Sequence, residues 1–299
     1  MQILRASNPA LKKITYLCLS MITTNYHTHT CFCDGSSEPE KYVLEAISMG
    51  FTALGFSAHA PLPFETAWNL AQADIEPYCA EILRLREKYK RQTEIYLSLE
   101  NDYIPGISED FAFFRKQYKL DYTLGAVHLV KDPGSNEIWF IDGPVSNYDN
   151  GLKRIFHNDI RKAVETYFSQ LNEMIVTQKP DIIAHFDKVK MNNQHRYFQE
   201  NEPWYKVLLR NTLEIIAQSK CLVEVNTRGM YTGKYDGLYP GLEVLKQMVE
   251  LNIPVTISSD AHKPSDLNSY FEETEKMLKD VGYQSVRVLL NHQWTDQEI

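Results

Sequence analysis

The chain has 299 residues, 43% of them hydrophobic, and a formal net charge of −8. That length accommodates a sizeable core in one large domain or two small ones, and the acidic balance without any basic cluster argues against nucleic acid or anionic membrane as a partner. No apolar run reaches the roughly 20 residues that cross a bilayer, and five scattered cysteines do not form a disulfide framework, which points to a reducing cytoplasm.

Lys12-Lys13 ahead of an apolar Ile14 to Ile22 faintly resembles a signal peptide, but the run leads almost directly into the next strand and no small-residue cleavage site follows. Residues 1–23 are therefore expected to be an N-terminal extension, non-native or disordered, with Met21 as an alternative start. Thr24–Thr30 reads as a strand. His27 and His29 on it share a face, as residues i and i+2 do, and such a pair can bind one metal ion. Asp34 follows in the turn Cys31-Phe32-Cys33-Asp34-Gly35, close enough to His29 to act as a further ligand; the two cysteines read as small buried residues. A helix opens at Pro39 and closes at Gly50. The strand Phe51–Ser57 leads to His59, immediately before Ala60-Pro61-Leu62-Pro63. Ile75–Lys90 is helical.

Glu94–Glu100 is the next strand. A carboxylate at its apolar end would cost several kcal/mol to bury unpaired, a cost that metal removes. Tyr122–His128 repeats the strand-end histidine. Lys131–Asn158, rich in Gly, Pro, Asn and Asp, is expected to be a long active-site loop. Then come a helix over Asp159–Gln178, a strand over Asp181–His185, a helix over Trp204–Gln218 and a strand over Cys221–Thr227 carrying Glu224. Leu242–Leu251 is helical after a Tyr-Pro-Gly turn. Val255–Asp260 is the last of seven such strands, and Asp260 with His262 again has i, i+2 spacing. A helix near Phe271–Lys279 precedes an apolar Val286–Leu290 of unassigned role.

Strand–helix alternation implies a parallel sheet with crossovers. Seven strands predict an α/β fold, a closed or nearly closed TIM-like barrel occupying residues 24–299 as one domain, with its site at the carboxyl ends of the strands. The metal-capable residues fall at those ends. They form a mixed nitrogen and oxygen set suited to Zn, Mn or Fe, and two or three divalent ions are needed to use them all. His157, His195 and His292 fit no strand end and read as ordinary residues. No GxxxxGK[ST], HExxH or GxSxG pattern occurs.

Several stretches resemble the polymerase-and-histidinol-phosphatase (PHP) superfamily, and more closely its histidinol-phosphate phosphatase branch. They are His27-Thr-His29-Thr, His59-Ala-Pro-Leu-Pro, Glu100-Asn-Asp-Tyr-Ile-Pro-Gly, Gly-Ala-Val-His128, His185-Phe-Asp, Glu224-Val-Asn226-Thr-Arg228-Gly and Ser-Asp260-Ala-His262. The resemblance implies a distorted seven-stranded (β/α) barrel and a three-metal site. His27, His29, Glu100 and Asp260 would hold one ion. Glu100 would bridge to a second, held also by His128 and His185. Asp34, His59 and His262 would hold the third, and Asp34 stands where many relatives carry histidine. Glu100, Asp260 and His262 are the candidate catalytic groups; Arg228, Lys190, Glu224 and Asn226 are the candidate substrate-binding ones.

The expected reaction is hydrolysis of L-histidinol phosphate in histidine biosynthesis, by attack of metal-bound hydroxide on phosphorus. Two rivals remain: a phosphoesterase acting on another small phosphomonoester or on phosphotyrosine, and a non-catalytic metal-binding module. The expected partner is a small phosphate ester, in the cytoplasm, with a homodimeric state left open.

Overall fold

Parallel strands that bury both faces read as unbroken apolar runs, and all seven residues of the second strand are buried. In the computed structural model, which describes residues 22–299, the strands are β1 (Thr24–Asn25), β2 (Ala53–His59), β3 (Glu94–Asp102), β4 (Leu124–Ala126), β5 (Leu129–Lys131), β6 (Ile138–Phe140), β7 (Ile182–Ile183), β8 (Leu222–Asn226), β9 (Val255–Ser258), β10 (Ser285–Leu290) and β11 (Gln293–Glu298). The helices are α1 (Pro39–Ser48), α2 (Ile75–Tyr89), α3 (Phe111–Tyr118), α4 (Val145–Phe156), α5 (Ile160–Gln178), α6 (Pro203–Gln218), α7 (Arg228–Thr232), α8 (Leu242–Glu250) and α9 (Phe271–Val281). The seven-stranded sheet has the order β1-β2-β3-β4-β7-β8-β9. All its pairings are parallel, so the expected α/β barrel is the observed one.

The strand expected over 24–30 pairs as a ladder only at Thr24 and Asn25. Beyond Asn25 the backbone is shared between both ends of the sheet. Ser57 N–H donates to the Thr28 carbonyl at 3.0 Å, His29 N–H to the Ala261 carbonyl at 2.8 Å, and Ala261 N–H to the His27 carbonyl at 3.0 Å. The Thr28–Ala261 bridge closes the barrel and leaves it no open edge there. It also carries the two histidines to the side of Asp260.

The interior has two layers. Near the strand starts it is apolar, with Tyr26, Tyr96, Tyr122, Leu124, Ile182 and Leu222 packed together. Tyr122 crosses this space to donate to the Tyr26 carbonyl at 2.6 Å. Gly55 makes room for it, since a Cβ there would collide with the tyrosine oxygen. Val286–Leu290 finds its role here, as part of the β10–β11 hairpin that plugs this end. The Tyr26 hydroxyl donates to the Leu289 carbonyl at 2.9 Å and accepts from its N–H at 2.7 Å, and Trp294 packs edge-on to Tyr26. The polar residues occupy the other end.

Lys131–Asn158, expected as a long active-site loop, reaches the cavity at the polar end through Asp142 and Gly143 but is largely regular structure. It contains β6, paired to β5, and α4. Trp139 ties them together, donating its indole N–H to the Tyr148 carbonyl at 2.9 Å and lying against Gly151. The Gly, Pro and Asn residues supply turns between these short elements. Helix starts follow the sequence signals: Pro39 and Pro203 open α1 and α6, and the Asp159 carboxylate caps α5 by accepting from Lys162 N–H at 3.0 Å. The expected extension over 1–23 and the start at Met21 lie outside the described residues, except for Ile22 and Thr23. Ile22 is buried and its N–H donates to Glu275 at 2.5 Å. Among the described residues no helix is long and apolar enough to cross a membrane.

Candidate active site

The register of β2 and β3 sets His59 directly beside Glu100 at the carboxyl ends of the strands. Glu100 is the hub of the site. Its Oε2 lies 3.2 Å from His27 Nε2, 3.4 Å from His29 Nε2 and 3.1 Å from His59 Nδ1. Its Oε1 lies 2.9 Å from His185 Nε2 and 3.6 Å from His128 Nε2. Asp260 Oδ1 is 3.3 Å from His29 Nε2, 3.7 Å from His27 Nε2 and 3.4 Å from His262 Nδ1. At the mouth, Asp34 Oδ2 is 3.0 Å from His262 Nε2, while Oδ1 is 3.6 Å from His29 and 3.9 Å from His59. All the metal ligands named from the sequence therefore meet.

They form four overlapping donor groups: His27–Glu100–His185, His27–His29–Asp260, His59–Glu100–His128, and His29–Asp34–His59–His262. Two members are turned in by the backbone itself. Asp260 (φ 52°) and His185 (φ 24°) take left-handed conformations just past their strands. Such a conformation costs on the order of 1–3 kcal/mol in a non-glycine residue and gathers at functional sites.

Burial pushes the His29 imidazole down to about 3, with the neighbouring His262 and His59 adding to the effect. Burial, then Lys188, brings His185 to about 4. His59 is also held low, burial outweighing the pull of Glu100 and Asp34. These rings are neutral and present lone pairs. His27 is raised well above its ordinary value, because Glu224, Asp260 and Glu100 outweigh its burial. Glu100 and Asp260 stay well below the usual carboxylate range despite burial, His27 being the largest favourable partner of each.

Three nitrogens bear on what this set could hold. His27 Nε2, His29 Nε2 and His59 Nδ1 are buried with no hydrogen-bond partner, although each faces a Glu100 oxygen within 3.4 Å. Buried polar atoms are normally paired. Unpaired imidazole nitrogens beside ionised carboxylates fit shared divalent cations, as the donor chemistry does.

Behind the ligands stands a layer of orienting groups, and here three assignments change. Glu224, expected to meet substrate, is fully buried; its Oε1 lies 2.6 Å from His27 Nδ1 and its Oε2 accepts from His185 N–H at 3.0 Å. Asn226 donates to Glu224 Oε2 at 3.0 Å and accepts from Arg228 N–H at 2.9 Å. Neither lines the cavity in front of the ligands. Lys190 is turned away as well, paired with Asp187 at 2.7 Å and lying over the Tyr235 ring. Asp102, which sequence reasoning missed, accepts from His128 N–H at 3.0 Å and lies 2.8 Å from its Nδ1. Its signal was parity: it stands two residues after Glu100 on the same strand. Carboxylates placed this way fix the tautomer of a metal-binding imidazole, and losing one typically costs 10–100-fold in metal affinity or activity. Glu224→Gln is thus expected to lower metal affinity about 10–100-fold, as read by competitive titration against a chromophoric chelator; unchanged affinity would reduce Glu224 to a packing residue.

The cavity in front of the cluster is lined by three cationic side chains, Arg228, Lys188 and the exposed Lys234. Arg228 lines it, with Nη1 donating to the Asp260 carbonyl at 2.7 Å. Lys188 lines it on the His128 side, 2.8 Å from Asp142 and 3.3 Å from His128 Nε2. Asp142, with Asp260 and Glu100, keeps Lys188 charged against burial. A cation cluster faced by guanidinium and ammonium is a site for an anion with several oxygens.

Residues 25–228 match the model of the PHP domain. The chain belongs to the PHP domain family. Among curated sequences it is 24% identical to the probable histidinol-phosphatase of Deinococcus radiodurans over 265 residues, covering 87% of this chain and 94% of the other. It is 27% identical to the histidinol-phosphatase of Bacillus subtilis over 263 residues, 82% and 96% of the two chains. Among solved structures, this PHP protein superposes on the hisK protein of Listeria monocytogenes with a TM-score of 0.74 at 22% identity, covering 84% of this chain and 99% of that one. Histidinol phosphate phosphatase of Lactococcus lactis, solved with Zn, L-histidinol and phosphate, superposes with a TM-score of 0.63 at 17% identity, covering 91% and 98%.

Proposed function

We propose that this PHP protein is a phosphoric monoester hydrolase that converts L-histidinol phosphate to L-histidinol and phosphate in histidine biosynthesis. One observation carries the reading: buried, unpaired imidazole nitrogens surround ionised Glu100 and Asp260, directly beside Arg228 and Lys188. Such a site holds cations and a multiply charged oxyanion together. The histidinol-phosphatase relatives supply the choice of ester.

Two or three Zn, Mn or Fe ions held by His27, His29, Asp34, His59, Glu100, His128, His185, Asp260 and His262 would neutralise phosphoryl charge and acidify water toward neutral pH. The protein's own groups do the rest. Arg228 and Lys188 bind and orient the phosphate. Asp260, kept ionised and lining the cavity, is placed to orient the attacking water by accepting a hydrogen bond from it. Asp102 and Glu224 hold His128 and His27 in one orientation. The Trp68 indole donates to Asp102 Oδ2 at 3.3 Å and walls the cavity beside His59. We read residues 24–299 as one domain working in the cytoplasm; the four described cysteines are unpaired, in keeping with a reducing compartment.

The test is steady-state kinetics across a phosphoester panel. L-Histidinol phosphate is expected to exceed p-nitrophenyl phosphate and phosphotyrosine in kcat/KM by about a hundredfold or more. Parity would defeat the substrate assignment while leaving a phosphoesterase. Absence of both turnover and bound transition metal would leave only a non-catalytic module.

A further inference from the structure

We infer that Tyr239 is a specificity-determining residue whose hydroxyl hydrogen-bonds the leaving-alcohol half of the substrate. The inference rests on the phosphatase reading above and names how one part of that substrate is recognised.

Tyr239 lines the same cavity as the ligand cluster, yet the residue is only 2% exposed and its hydroxyl has no hydrogen-bond partner. A buried hydroxyl without a partner is costly, and phenylalanine would fill the space without that cost. Tyr148 and Tyr205 have orphaned hydroxyls too, but neither lines this cavity. Position gives the Tyr239 oxygen its meaning.

The ring is held where it is. Tyr239 and Asn226 exchange both backbone hydrogen bonds, at 2.8 and 3.1 Å, which locks the residue against the end of β8. Gly229 lies under the ring; a Cβ there would meet ring carbons at 3.0 and 3.1 Å. Tyr235 packs 5.5 Å away at 30°, and the Lys190 ammonium sits 5.6 Å from the ring centre. Held this way, the side chain keeps its unpartnered hydroxyl beside the cavity that substrate would enter. This also explains the buried Lys190, which props the ring instead of meeting phosphate.

The surroundings choose which half of the substrate that is. Arg228 and Lys188 already supply charged donors for the phosphate. The Asp142 carboxylate lines the same cavity as Tyr239, and burial first, then Asp187, Asp142 and Asp260, hold the Tyr239 phenol well above its ordinary value. That leaves the alcohol half of the substrate, whose ammonium or ring N–H can donate to the lone pairs of the neutral phenol oxygen.

Tyr239→Phe removes that oxygen alone. With the variant's metal content and melting temperature matching wild type, product inhibition reads the two halves separately. The Ki for L-histidinol is expected to rise about tenfold and the Ki for inorganic phosphate to stay within about twofold. In step, kcat/KM should fall about tenfold for L-histidinol phosphate and stay within about twofold for p-nitrophenyl phosphate. Equal shifts for both products, or none for either, overturn the inference while the phosphatase reading stands. A wild-type protein that neither prefers L-histidinol phosphate nor is inhibited by L-histidinol defeats that reading and takes the inference with it.

Discussion

Glu100→Ala is expected to lower kcat/KM by about 10³-fold or more, equivalent to about 4 kcal/mol, and to reduce bound metal by more than one equivalent. The reason is geometric. Both oxygens of one carboxylate serve different sets of rings, Oε2 facing His27, His29 and His59 and Oε1 facing His185 and His128. No other carboxylate in the cluster reaches so many. The same change leaves buried imidazoles without their counter-charge, and breaking a buried pair by removing one partner costs about 3–5 kcal/mol. Glu100→Gln, which keeps the shape and loses the charge, should lose metal and turnover nearly as completely. Elemental analysis and steady-state rates on the same preparation check this. Near-normal activity in either variant would remove Glu100 from the centre of the site.

Stripping the metal with a chelator should abolish turnover and lower the melting temperature by about 10 °C. An ion at a thousand times its Kd stabilises a fold by about 4 kcal/mol, and a domain of 150–250 residues shifts by about 2–4 °C per kcal/mol. The ions would also add counter-charge for Glu100 and Asp260, which otherwise rely on histidines, Arg228 and Lys188. The sign of the pH effect follows from His27. Its folded value is raised, so without metal it keeps a proton that a cation must displace. Metal affinity should therefore fall as pH drops through and below that raised value, and recover on returning to higher pH. Adding Zn or Mn back should restore both melting temperature and rate. A stripped protein that melts at the same temperature and still turns over ester would exclude a metal centre.

Much of this site can be read from residue order, because in a parallel barrel the carboxyl end of every strand faces one rim. His59, Glu100, His128 and His185 each close an apolar run, and that placement survives even where the strand proves short, as at β7. Roles behind the ligands could not be read this way. Glu224 is also a strand-end carboxylate, chemically equal to Glu100. Only its 2.6 Å approach to His27 Nδ1, the far side of the ring, makes it an orienting group. The lysines show the same limit. Lys188 and Lys190 sit on one 3₁₀ turn, where successive residues rotate by about 120°. Two positions apart, they point to different sides, Lys188 to Asp142 and His128 and Lys190 to Asp187. Neither lysine's side is written in its neighbours.

What sequence alone determined was the chemistry and the order of its bearers: imidazoles and carboxylates at strand ends, alternating with helices, imply a metal-holding barrel because strand parity and crossover handedness are local rules. The tertiary structure decided which atoms meet. Barrel closure through Thr28 and Ala261 brings the first strand's histidines to the last strand's aspartate, and Asp142, Lys188 and Tyr239 reach one cavity from separate segments. Those meetings depend on long-range packing, which sets distances of a few ångströms that no local pattern encodes.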